Sequence, residues 1–155
     1  MKTTLEKLTT RREQTSSQVY FTLTGDFPVT EVSRRLGLEP TSSFNKGDEK
    51  RLLLDKENKP LYHCFSKWCY GTEYEITRDI PAQCEAVLSA LYGKVAAINK
   101  IIKKYDCQAR LQIVSVIEKG ETPALSVEQK VMNFCVSVKA DIDIDLYANA
   151  YGEEN

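Results

Sequence analysis

The chain of 155 residues has a single histidine, one tryptophan and seven glycines. Charge of one sign is also lacking. Lys plus Arg is 21 and Asp plus Glu is 22, for a formal net charge of −1. Without a basic excess, nucleic acid and anionic membranes are not expected partners. No apolar run approaches the ~18 residues of a membrane-spanning helix. The opening residues Met1–Glu6 lack the apolar stretch of a secretory leader, so a cytoplasmic location is expected. Repeats, low-complexity stretches and Pro/Gly-rich linkers are missing, and with them any visible domain boundary. A Walker phosphate loop, a dinucleotide glycine fingerprint and a nucleophile elbow are absent too. Nothing in the pattern asks for a cofactor, and no catalytic set stands out.

What remains is ordinary globular material: 42% hydrophobic and 28% charged residues, enough for one domain with a core. Residues 1–16 read as a polar tail or arm, 17–148 as a single domain and 149–155 as a second tail. The five cysteines (Cys64, Cys69, Cys84, Cys107 and Cys135) are odd in number and scattered, as reduced thiols packed as small hydrophobes would be. Charge is uneven. Residues 1–105 hold 17 basic and 13 acidic side chains, whereas residues 106–155 hold 4 and 9.

The local patterns are readable. Gln18–Thr24 is β-branched and aromatic, with Val19, Phe21 and Leu23 on one face of a strand. Asp26 is placed to cap a helix carrying Val29, Val32 and Leu36, with Pro28 in its first turn. Gly37 suits the left-handed residue that ends it, and Pro40 prevents continuation. Residues 39–49 form a polar loop. Residues 51–54 and 61–70 suggest a hairpin around 55–60, and 73–76 a short extended piece. From Pro81 to Tyr105 an apolar stripe runs at helical spacing. Unbroken, that helix would be roughly 37 Å long at 1.5 Å per residue, so Gly93 is read as a break. Ala109–Glu118 alternates as a strand. Ser126 and Gln129 fit a capping box opening a helix to about Val138. Asp141–Tyr147 alternates with period two.

The resulting order places β-α-β-β-α-β first, the ferredoxin-like sequence of elements, followed by a further helix and strand. The expectation is an α+β fold: a largely antiparallel sheet with helices on one face.

Several segments together resemble a largely bacterial family, the domain of unknown function numbered 4279. They are Tyr20–Asp26, Leu36–Thr41, Gly47–Asp48, the isolated Trp68 and the closing Ile144–Tyr147. The resemblance spans about residues 19–147. It implies one α+β domain and carries no established activity, cofactor or catalytic residues.

Candidate sites are few. Asp141, Asp143 and Asp145 share a strand face with neighbours about 6.5–7 Å apart. They are weak candidates for a divalent cation, and as charges on a strand they also discourage edge-to-edge association. His63 and Cys64 are adjacent on an expected strand and point to opposite faces, which disfavours a shared zinc or a Cys–His pair. Tyr62, Trp68, Tyr70 and Tyr74 gather around the expected hairpin, as core or as partner anchors. Arg34 and Arg35, with the segment Thr41–Asp48, could receive an anion. The binding candidates are therefore Arg34, Arg35, Thr41, Lys46, Asp48, Trp68 and Tyr70. The function expected is a non-catalytic binding or protein-interaction domain, able to self-associate as a homodimer, with an immunity-type protein as one form. Two alternatives stay open. One is a small hydrolase or transferase using Asp48, Lys46 and Asp26 at the 39–49 loop. The other is a metal sensor built on the aspartate strand.

Overall fold

A computed structural model describes residues 14–149 of the chain. The elements run β1 (Ser16–Gly25), α1 (Val29–Leu36), β2 (Ser42–Phe44), β3 (Glu49–Leu54), β4 (Pro60–Tyr62), β5 (Ser66–Gly71), α2 (Ile80–Leu88), α3 (Val95–Tyr105), β6 (Gln108–Ile117), α4 (Gln129–Ser137) and β7 (Asp141–Ala148). A single 3-10 turn, Tyr92–Lys94, separates α2 from α3 around Gly93. The fold is mixed α+β, and the described residues form four α-helices and a five-stranded sheet in the order β2-β5-β1-β6-β7. Its pairings are antiparallel except for β6 with β7. β3 and β4 form a separate two-stranded hairpin.

One face of the sheet carries the main core cluster. Val19, Phe21 and Leu23 of β1 lie opposite Ile113, Leu111 and Ala109 of β6, while Trp68 of β5 lies opposite Leu23. All belong to one cluster with Val32 of α1, Leu88 of α2, Ile98 of α3 and Phe134 of α4, so all four helices cover that side. The rings of Phe21 and Phe134 meet edge to face at 5.7 Å. The alternate residues Thr22, Gln112, Arg110 and Asp143 point to the other face, away from the four described helices.

Local chemistry differs from the sequence expectation at the helix starts. Asp26 does not cap α1. Pro28 is the N-cap, and the Val29 N–H donates to Asn45 Oδ1 at 3.0 Å. The predicted capping box is also unused: α4 begins at Gln129 after an extended Glu128 with no side-chain cap bond. Gly37 does close α1 at φ 59, and the Leu38 N–H donates back to Ser33 O. The expected hairpin divides. Residues 60–62 stay with β3, whereas 66–71 cross into the main sheet as β5, and β2 emerges from the polar loop. The expected boundary at residue 17 falls inside β1. Thr15 is already buried, its hydroxyl donating to Glu121 O and accepting from the Glu118 N–H. The rest of the N-terminal tail, and residues 150–155 of the C-terminal one, lie outside the described residues.

Four cysteines are buried and Cys64 is exposed. Burial pushes the thiols of Cys84, Cys107 and Cys135 up to about 11. At neutral pH a thiol reagent should therefore modify one cysteine of the folded protein quickly, Cys64, and the rest only after denaturation. The same three thiols stay protonated in the native state at a pH where the unfolded chain has begun to ionise them. Their contribution to stability is full below about pH 9 and is lost as pH rises through about 11. Two rapidly modified thiols, or unfolding midpoints that rise between pH 9 and 11, would contradict this placement.

Candidate functional site

The polar segment after α1 is a structural clasp. Thr41 Oγ1 accepts from the Gly71 N–H at 3.1 Å and donates to Cys69 O, fixing β2 against β5. Asp48 Oδ2 accepts from the Asn45 N–H at 2.7 Å, closing a tight turn in which Gly47 takes φ 89. The Lys46 N–H donates to Ser66 Oγ, and its ammonium lies 2.6 Å from Asp26 Oδ2. That hydrogen bond raises the Lys46 pKa. The shift runs against use of Lys46 as a base or nucleophile, which would need a lowered value. Lys46 and Asp26 form an exposed pair.

Arg34 and Arg35 are turned elsewhere. Both bond Glu31 one turn earlier on α1, at 2.9 and 2.6 Å, and hold its carboxyl below the usual range. Lys104 of α3 approaches the same carboxylate at 3.8 Å. The arginines therefore belong to a basic face shared by α1 and α3, where Arg35 and Lys100 also border a shallow groove of about 420 Å³ beside Gly93. The expected grouping of Arg34 and Arg35 with the Thr41–Asp48 segment gives way to this one, because the guanidinium groups follow Glu31.

The four aromatics near the hairpin differ in burial. Trp68 is 0% exposed and its Nε1–H donates to Ser33 Oγ at 3.1 Å, so the indole is a core residue and presents no face to a partner. Tyr70 is half-buried and stacks on it at 6.4 Å. Tyr62 and Tyr74 are exposed.

The aspartates of β7 are answered from β6. Asp143 pairs with Arg110 at 3.3 Å, and Asp145 accepts from Gln112 Nε2 at 2.9 Å. Asp141 and Arg110 border a groove of about 500 Å³ on the sheet face away from the described helices, with Thr22, Thr24 and Phe65. Among the described residues, no group of three or more His, Cys, Asp or Glu side chains is placed to hold a metal ion. No helix among them is long and apolar enough to cross a membrane.

The hairpin expected around residues 55–60 is present as β3–β4, and what sequence reasoning missed is its run of exposed leucines, Leu52–Leu54. The base of the hairpin is held by the Gly47 N–H on His63 O and the His63 N–H on Asp48 O, with the His63 ring stacked on Phe44 at 3.6 Å. Asp55 organises its tip by accepting from the Glu57 and Lys59 N–H groups. Between base and tip, every residue from Arg51 to Tyr62 is exposed. Leu52 is 85% exposed, Leu53 54% and Leu54 51%, and the rings of Tyr62 and Phe65 are open as well. Leu52 adopts φ 60, unusual for a branched side chain, where the ladder between Glu49 and Leu54 slips register. The signal was present in the sequence. Three consecutive leucines between charged runs do not alternate, so such a strand cannot bury one face and wet the other.

No curated protein and no solved structure matches the chain. The family model for a domain of unknown function, DUF4279, matches residues 13–149, a span that takes in every element described above. The chain belongs to the DUF4279 family.

Proposed function

We propose that this protein is a non-catalytic protein-interaction domain that docks a partner protein through the β3–β4 hairpin. The observation that carries the reading is the exposed run Leu52–Leu54, set out from the sheet on an ordered base and an ordered tip, with none of the described helices over it. A two-stranded hairpin is marginal on its own, and exposed leucines add nothing to its stability. Buried against a partner, each would contribute about 1.5–3 kcal/mol. An immunity-type protein, which blocks a toxin by surface rather than chemistry, is one form of this reading. We also read β1-α1-β2-β5-α2-α3-β6 as a ferredoxin-like core extended by α4 and β7. The sheet order β2-β5-β1-β6 with antiparallel pairings supports that reading.

Photo-crosslinking tests the docking surface. Benzoylphenylalanine in place of Leu53, irradiated in source cells, should give a discrete adduct. Leu52→Asp with Leu54→Asp should abolish it while shifting folding stability by only about 0.5 kcal/mol per site, as surface changes do. No adduct, or an adduct indifferent to the aspartates, would refute the reading.

A further inference from the structure

β7 ends the sheet, and among the described residues nothing pairs with its outer side. Alternate residues of the strand therefore turn N–H and C=O groups outward, the template on which an added strand forms. The two faces beside that edge differ. On the helix side, Ile144 and Leu146 lie in register with the buried Ile113 and Ser115, yet are 39% and 51% exposed, because the helices stop short of the margin. On the open side stand Asp141, Asp143 and Asp145. One of these carboxylates is met by a cation, Arg110, and another by the neutral amide of Gln112, so the strip stays acidic. A second copy of this chain is a poor occupant. Antiparallel pairing of two β7 strands about their middle would set aspartates against aspartates, and like charges directly opposite are destabilising.

We propose that β7 accepts an extended segment of a partner protein in which apolar and basic residues alternate. Its backbone would continue the sheet, its apolar side chains would cover Ile144 and Leu146, and its Lys or Arg side chains would face the aspartates. This rests on the interaction reading above but uses a separate surface, so changes to the hairpin leave it untouched.

The probe is a capped octapeptide alternating valine with lysine, compared with one alternating valine with glutamate. With the full chain, the lysine peptide should slow amide exchange at residues 141–148 and bind more weakly as salt rises. Asp143→Asn with Asp145→Asn should weaken it about fivefold to tenfold. The Leu52→Asp, Leu54→Asp protein should bind it as well as the wild type, which separates failure of this inference from failure of the hairpin reading. Three outcomes would overturn the proposal: no protection of β7, equal protection by both peptides, or a dimer in light scattering whose β7 amides are already protected.

Discussion

Replacing Gly71 with alanine is expected to cost about 3 kcal/mol or more, at or above the upper end of what overpacking usually costs. A Cβ built at Gly71 would lie 2.2 Å from Tyr20 Cβ, 2.6 Å from Val19 O and 2.7 Å from Tyr20 Cα. None of these atoms can swing aside, since all are on or next to the backbone of the partner strand. Gly71 and Tyr20 face each other across the β1–β5 ladder, so the added methyl forces apart the strands that carry Phe21 and Trp68. For a domain of this size the melting midpoint should fall by about 6–12 °C. Gly93 is the control: a Cβ there meets nothing within 4 Å, and its φ is not left-handed. Gly93→Ala should be neutral or stabilise by up to about 1 kcal/mol. Thermal unfolding of the two variants decides the matter, and equal midpoints would mean that β1 and β5 are not packed as closely as described.

Both glycines look alike in the sequence, and the contrast between them marks what sequence patterns carry. Spacing within an element is local. Val19, Phe21 and Leu23 alternate, Val29, Val32 and Leu36 recur at helical spacing, and Gly37 stops α1 where a left-handed residue is needed. The close approach of Gly71 to Tyr20 depends on pairing across 51 positions, which no local pattern encodes. The same holds for caps. The residue satisfying the Val29 N–H is Asn45, 16 positions on, so the search among immediate neighbours found Asp26 instead. Local spacing also placed all of residues 61–70 in the hairpin. The chain leaves it at His63–Phe65, because Trp68 gains a place between β1 and β2 in the sheet. The candidate surface was the least legible part. Leu52–Leu54 has the composition of a core strand, and its exposure follows from its place outside the main sheet, where none of the described helices covers it. Of the basic face, the sequence pattern singles out Arg34 and Arg35 on α1. Its unity comes from Glu31, which gathers Arg34 and Arg35 from α1 and Lys104 from α3.

Trp68→Ala should be comparably damaging, at about 3–5 kcal/mol, the usual cost of truncating a fully buried aromatic. Two terms make up that figure. One is the volume lost between β5 and α1, where the ring is 0% exposed and lies against Tyr70. The other is the buried hydrogen bond from Nε1 to Ser33 Oγ, a polar link between this strand's core face and α1. Conservative variants separate them. Trp68→Phe keeps most of the apolar bulk and leaves the serine hydroxyl without its donor, while Ser33→Ala leaves the buried indole N–H without an acceptor. Each should cost about 1–3 kcal/mol, with the indole N–H the worse orphan because a serine hydroxyl can turn to a backbone carbonyl. The double variant should cost less than the sum of the two, since removing both partners leaves no buried group unpaired. The chain has one tryptophan, so its fluorescence follows this site alone. Native emission should be blue-shifted and move to the red in the same transition that melts the helices. Emission typical of exposed indole in the native protein, or a loss below about 1 kcal/mol for Trp68→Ala, would remove Trp68 from the core and with it the register of β5 on β1.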